Sequence, residues 1–371
     1  MADKIDPWAS SDVEDYEKLI SQFGMESIEK YRKKFEDLVY LRRGVIFGHR
    51  DFGKIAEAIE KKRPYAMMTG LMPSGRMHFG HKMVADEIIW FQRHGARTFV
   101  CAADVESYLM RDMPFEKARE IALTEYLTNY IALGLSPKNL TFWFQSDYRN
   151  EYYRLRDMAA KRVTFNELTA IYGELSTGKI VSVLSQVADI LHPQLPELSG
   201  PKPVVVPVGV DQDPHIRLTR DIATRLNAER DGGREFACIP PSSTYHKFMQ
   251  GLSGGKMSSS DPKSFIALSE EPAAARKKVV SAKTGGRETV EEQKKKGGEP
   301  EKCMIFELYK YHLIEDDKKL KEIYENCKSG KLLCGEDKKN CADLVEKFLV
   351  DHAKKREKAK DKMGEYVSGG R

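Results

Sequence analysis

The sequence predicts an α/β protein. A doubly wound parallel sheet is followed by an all-helical C-terminal domain and preceded by a mostly helical N-terminal extension. Three observations lead there. Short apolar runs rich in strand-favouring residues alternate with helical segments between residue 65 and about 265. The apolar runs stop after the loop "GLSGGKMSSSDP". From about residue 270 only helical periodicity remains. Strand–helix–strand alternation is the mark of parallel βαβ units, which build a Rossmann-like sheet buried on both faces.

Residues 1–64 are polar and helix-patterned, from "VEDYEKLISQFG" to "FGKIAEAIEKK", and Pro64 closes them. "YAMMTG" (65–70) and "RTFVCAAD" (97–104) read as buried strands. Between them, "KMVADEIIWFQRHG" spaces Met83, Val84, Ile88, Ile89 and Phe91 at helical intervals and stops at Gly95. "EKAREIALTEYLTNYIALGL", "LTFWFQS" and "KPVVVPVGV" continue the alternation. The boundaries therefore fall near 64 and 265: an extension (1–64), an α/β domain with an insertion (65–265) and a helical domain (266–371). In the last, "PAAARKKVVSA", "CMIFELYKYHLI", "DKKLKEIYENCKSG" and "CADLVEKFLVDHAKKREKAKDKM" are the expected helices. "TGGRETVEEQKKKGGEP" (284–300) reads as an exposed connection.

Composition narrows the function classes. Across 371 residues, 41% are hydrophobic and 32% charged, which suits a soluble protein with a charged surface. A net charge of +5 permits a nucleic-acid partner without requiring one. "MADKIDPWASSDVEDYEKL" carries acids where a signal peptide needs basic and then apolar residues. No apolar stretch approaches the roughly 20 residues that span a bilayer. Cys101, Cys238, Cys303, Cys327, Cys334 and Cys341 are scattered with no C-x-x-C pair, so reduced thiols in a cytoplasm are expected.

In "MTGLMPSGRMHFGHKMVADEII", His78 and His81 bracket Phe79 and Gly80. Three uses compete: holding a metal, capping a helix, or gripping a phosphate. The metal use is poor, because two histidines three apart make half a site and no Cys, Asp or Glu stands at ligand spacing nearby. A helix start at a sheet's carboxyl edge presents free N–H groups and partial positive charge, and imidazoles there can bond phosphate oxygens. Gly80 has no β-carbon to block a nucleotide. A second segment tips the balance. "GGKMSSSDP" (254–262) places Lys256 in a glycine-flanked loop ahead of three serines, a movable charge for a leaving pyrophosphate. Either segment alone is weak, and the pair, about 175 residues apart, is specific.

That pair resembles the class I aminoacyl-tRNA synthetases, "HFGH" being similar to their HIGH motif and "KMSSS" to their KMSKS loop. The resemblance implies ATP binding and Mg²⁺-assisted adenylation. It assigns His78, His81 and Lys256 to the reacting phosphates. Gly70, Ser74, Gly80, Gly209, Asp211, Met257, Ser258 and Ser259 are the further ATP-binding positions it implies. "VPVGVDQDPHIRLTRDIA" (206–223), "KRVTFNEL" (161–168), "TGGRETVEEQKKKGG" and "IDPW…DYEKLISQFG" are similar to the tryptophanyl group of archaea and eukaryotes. L-tryptophan as substrate, tRNA(Trp) as partner, anticodon binding by the helical domain and a homodimer are implied with it.

For the amino acid, "SQVADIL" (185–191) matches the bacterial tryptophanyl pattern and assigns Asp189 to accept the indole N–H. Met68 and Cys101 stand where eukaryotic enzymes keep a Tyr and a Gln. A desolvated carboxylate prefers indole to phenyl, which offers no donor. Tyrosine must be excluded by shape. Glu106, Gln186 and Gln212 align with positions near the substrate's ammonium and carboxylate, with helix capping as the lesser alternative for Glu106. Gln186 shares a helical face with Asp189. Asp211 is either a turn residue or a ribose contact. "AKKREKAKDK" (353–362) is either a solvated helix face or a track for tRNA phosphates. Tyr309, Tyr311 and Tyr324 are either core residues or platforms for unstacked bases. A tyrosyl-tRNA synthetase, a small-molecule adenylyltransferase and a non-catalytic tRNA-binding relative are the rival readings. The last conflicts with two intact phosphate motifs.

Overall fold

The computed structural model describes residues 16–228, 237–255, 257 and 261–367, the side chain of Glu17 excepted. The expected phosphate contacts Lys256, Ser258 and Ser259 lie outside the described residues, as does "IDPW". Seven strands form one sheet: β1 (Glu26–Ser27), β2 (Ile46–Arg50), β3 (Ala66–Leu71), β4 (Arg97–Ala102), β5 (Leu140–Phe144), β6 (Val204–Gly209) and β7 (Ser242–His246). Their order is β1-β2-β7-β6-β3-β4-β5. The five strands from β7 to β5 run parallel, and β1 and β2 join antiparallel at the β7 edge. β3, β4, β5 and β6 are the apolar runs seen in the sequence. The chain leaves β3 for β4 and β5 on one side, and returns through β6 and β7 on the other.

β3 and β4 pair over six positions, Ala66↔Arg97 to Leu71↔Ala102. β6 and β7 pair over five, ending at Gly209↔His246. Between β3 and β6 the register holds only at Ala66↔Val204 and Met67↔Val205. Beyond those two pairs the strands part, and the gap opens at the carboxyl edge of the sheet.

Three expectations are corrected. The N-terminal extension is not mostly helical where it meets the sheet, because "IFGHR" is β2 and pairs with β7. Arg50 on β2 fixes that edge through an ion pair of 2.8 Å to the fully buried Asp213. The strand β7, "SSTYH", was not foreseen. It is buried along its whole length, but by hydroxyls and a histidine rather than aliphatic side chains. The stretch 284–300 is not a loose connection. It contains the helix Val290–Lys296, and Gln293, Gly297 and Pro300 are buried.

The expected C-terminal helices form over Pro272–Ser281, Met304–Leu308, Asp317–Lys328 and Cys334–Lys360. The second continues as a π-turn over Tyr309–Leu313. One hydrophobic cluster takes in Ile28, Phe142 and Leu349, so the extension, the sheet and the C-terminal helices share a core. A second cluster, with Trp143, Tyr152 and Leu191, packs on the other face of the sheet. All six cysteines are free thiols. Among the described residues no helix is long and apolar enough to cross a membrane.

Gly297 offers a check on the packing of 284–300. Its φ is +70°, and a β-carbon there would lie 1.8 Å from the carbonyl oxygen of Lys328. Gly297→Ala should destabilise the fold by more than about 2 kcal/mol in denaturant unfolding. Gly335→Ala, in a helix with open space around it, should be neutral or stabilising by up to about 1 kcal/mol.

Candidate active site

A cavity of about 600 Å³ opens where β3 and β6 part. Met68 and Gly70 of β3 face it from one side, Gly209 of β6 from the other. The helix Phe79–Arg93 begins at its rim. His78 is that helix's N-cap: its Nδ1 accepts from the Gly80 N–H at 3.1 Å, and the Nδ1 of His81 accepts from the His78 N–H at 3.3 Å. Both Nδ1 atoms are therefore acceptors, which assigns the hydrogen in each neutral ring to Nε2. The rings stack with centroids 3.8 Å apart. Burial pushes the His78 imidazole down to about 2, helped by His81, and the His81 imidazole down to about 4. The capping and phosphate uses thus coincide. The cap fixes the rings, and two uncharged N–H donors are left for the cavity.

The second motif reaches the first. A β-carbon on Gly80 would lie 3.0 Å from Cε1 of His78 and 3.4 Å from Sδ of Met257, so Met257 is seated against the helix start. Gly209 is equally tight: a β-carbon there would meet Asp211 Oδ1 at 2.6 Å and Phe248 Cε1 at 2.7 Å. Gln212 Nε2 donates to Asp211 Oδ2 at 3.4 Å. Ser74 meets the hydroxyl of Tyr126 at the cavity wall.

At the other end stands Asp189, 2% exposed, on the helix Thr177–Leu191. Its Oδ1 accepts from the Tyr152 hydroxyl at 2.8 Å and from Cys101 Sγ at 3.4 Å, and its Oδ2 accepts from Gln145 Nε2 at 2.6 Å. Burial raises this carboxyl to about 7 against the lowering pull of those three donors. One turn earlier, Gln186 lines the cavity with its Oε1 buried and without a hydrogen-bond partner among the described residues. Glu106, in the first turn of the helix Asp104–Arg111, is 8% exposed and lines the same space.

The structure therefore brings together every expected site residue that it describes: Met68, Gly70, Ser74, His78, Gly80, His81, Glu106, Gln186, Asp189, Gly209, Asp211, Gln212 and Met257 all line this cavity. Sequence reasoning missed Gln145 and Tyr152, which hold Asp189, and Phe248 and His246 on the cavity wall. Gln145 had a usable signal, since it directly follows β5 at the carboxyl edge, where ligands of open parallel sheets bind.

Comparison with known proteins agrees with this geometry. The model of the class I tRNA synthetases for tryptophan and tyrosine (W and Y) matches residues 60–350. The chain belongs to that family. A tryptophan–tRNA ligase of Hyperthermus butylicus is 50% identical, with 98% of each chain covered. A tryptophan–tRNA ligase of Methanocaldococcus jannaschii is also 50% identical, with 96% of each covered. Among solved structures, the tryptophanyl-tRNA synthetase of Aeropyrum pernix superposes with a TM-score of 0.90 at 44% identity, over 99% of this chain and 100% of that one.

In this class I synthetase, Gly80 separates activity from stability. Gly80→Ala should leave the unfolding temperature unchanged or raised, because alanine is the better helix former by about 1 kcal/mol. It should slow ATP–pyrophosphate exchange at least about tenfold by pushing on His78 and Met257. Exchange at the wild-type rate would show that the close approach is not needed.

Proposed function

We propose that the enzyme activates L-tryptophan with ATP and transfers it to the 3′ end of tRNA(Trp). The observation that carries this is the seating of Met257 against Gly80, beside two neutral histidine donors, in a cavity that ends at a buried carboxylate. In the first step a carboxylate oxygen of tryptophan attacks the α-phosphorus of ATP and the bond to the β-phosphate oxygen breaks, releasing pyrophosphate. In the second a ribose hydroxyl at the tRNA end attacks the carbonyl of the mixed anhydride and AMP leaves. Neither step uses a protein nucleophile, so catalysis is positioning and charge stabilisation.

The Nε2–H groups of His78 and His81 donate to oxygens of the reacting phosphates, and Lys256 follows the leaving pyrophosphate. Asp211, with Gln212 against it, meets the ribose, while Gly209 lets the nucleotide approach β6. Asp189 accepts the indole N–H, and Met68 shapes the pocket against tyrosine. Glu106 and the open Oε1 of Gln186 take the substrate ammonium. Mg²⁺, when bound, neutralises charge on the triphosphate. We also infer an anticodon-binding role for the C-terminal helices, a homodimer, and a cytoplasmic setting that suits six free thiols.

Pyrophosphate exchange into ATP, run with each amino acid separately, tests the reaction. Exchange with tryptophan alone is expected, whereas exchange with tyrosine alone, or none, overturns the reading. Lys256→Ala should slow adenylate formation far more than it weakens tryptophan binding, and equal losses would contradict a transition-state role.

A pH test addresses Asp189. An N–H donor favours the ionised carboxylate, so the bound form titrates below the free value of about 7. Tryptophan affinity should therefore be flat above pH 7 and fall below it, by up to about tenfold per pH unit. Calorimetric titration of Asp189→Asn should show weaker binding at pH 8 and no such slope. A slope that survives in the variant would remove Asp189 from the role.

A further inference from the structure

We propose that His246 is an ATP-binding residue and Glu87 its positioning residue, a dyad that presents one more N–H donor to the nucleotide. This rests on the reading of the cavity as the ATP site. The two residues come from different elements. His246 ends β7, its Cα paired with that of Gly209, and its ring lines the cavity. Glu87 lies on the helix Phe79–Arg93, six residues beyond His81. Its side chain has no exposure at all.

A carboxylate taken wholly out of water needs donors on its oxygens. Thr244 Oγ1 donates to Oε2 at 3.4 Å. Oε1 faces His246 Nδ1 at 3.2 Å. Both Oε1 and Nδ1 are buried and neither makes a well-aligned hydrogen bond among the described residues, so the 3.2 Å approach is the contact that links them. Such contacts are commonly long in an empty site and tighten around the substrate.

The dyad as proposed carries its hydrogen on Nε2, which makes that atom a donor. With Nδ1 turned to Glu87, the Nε2 edge is the one left for the cavity. At the Gly209–Phe248 end, the acceptors within its chemistry are a phosphate oxygen or a purine nitrogen of ATP.

Kinetics of tryptophan-dependent exchange test the dyad. An asparagine amide occupies the Nδ1 position and still meets Glu87, whereas a glutamine amide reaches the Nε2 position. His246→Asn should raise the KM for ATP about tenfold, the cost of one lost hydrogen bond, and His246→Gln less than about threefold. Glu87→Leu, which frees the ring, should resemble His246→Asn, while Glu87→Gln should restore near-normal values. The KM for tryptophan should stay within about twofold throughout, with unfolding temperatures confirming that each variant folds. An effect that carries over to the KM for pyrophosphate marks a phosphate acceptor. An effect lost with 7-deaza-ATP or 3-deaza-ATP marks the base. An ATP KM that fails to separate His246→Asn from His246→Gln, or that moves in step with the tryptophan KM, overturns the dyad alone. Absence of tryptophan-dependent exchange in the wild-type enzyme overturns the underlying reading and the dyad together.

Discussion

The early end of the ladder between β3 and β6 is the constraint on which the rest depends. Each strand stays paired on its outer side through to the carboxyl edge, β3 with β4 and β6 with β7, so neither can drift away from the sheet. Between them only two registered pairs hold. From Met68 and Val206 onward the backbones diverge, and the residues released, Met68 to Leu71 and Val206 to Gly209, line the cavity. Pro207 suits this stretch, having no N–H to leave unsatisfied on the side where β3 is lost. The chain leaves β3 in one direction and β6 in the other, so no connection covers the gap. Ligands of open parallel sheets bind at such a switch point.

Burial then sets the charge of what stands around the gap. The rings of His78 and His81, stacked and desolvated, stay neutral across the physiological range. They can donate to phosphate oxygens without adding full charges whose own desolvation would offset the gain. Lys256, the movable charge expected from the sequence, lies outside the described residues. Asp189 shows the opposite use of the same physics. Three donors hold its carboxylate in place, yet its burial keeps it close to protonation at neutral pH. A buried carboxylate of this kind rewards a ligand ring that brings a further N–H donor over one that brings none.

Much of this was legible in the sequence, and the parts that were not share a cause. β3 to β6 are aliphatic or aromatic runs buried on both faces, the strongest signal a parallel strand gives. The helix after β3 announces itself by its spacing and by Gly95. β7 is as deeply buried, but by Ser242, Ser243, Thr244 and His246, whose polar side chains hide it from any reading based on hydrophobicity. β2 is a short apolar run inside a polar, helix-patterned segment, and only its pairing with β7 makes it a strand. Two invisible neighbours thus hid one another. At the site, His78, His81, Asp189 and Gln186 lie in local motifs and could be found. Gln145, Tyr152 and Glu87 act across the fold, between residues 44, 37 and 159 positions apart in sequence, and no local pattern records such meetings.

The segment that leads to Met257 joins the site to the rest of the molecule. Its base is clasped on several sides. The Leu252 N–H donates to the Ser264 carbonyl at 2.8 Å, and the Lys283 N–H donates to the Leu252 carbonyl at 2.7 Å. The Gln250 N–H donates to Oε1 of Glu307 at 2.9 Å. Glu307 belongs to the helix Met304–Leu308, and the Met304 N–H donates back to the Lys283 carbonyl at 3.2 Å. The loop therefore stands on a footing made by the C-terminal helices rather than by the sheet. Its tip passes through Gly254 and Gly255, at φ +82° and +81°, before Met257 meets Gly80. Because the footing shares a core with the sheet, displacement of the C-terminal helices cannot leave the loop behind. Met257 is thereby held against the start of the helix that follows β3.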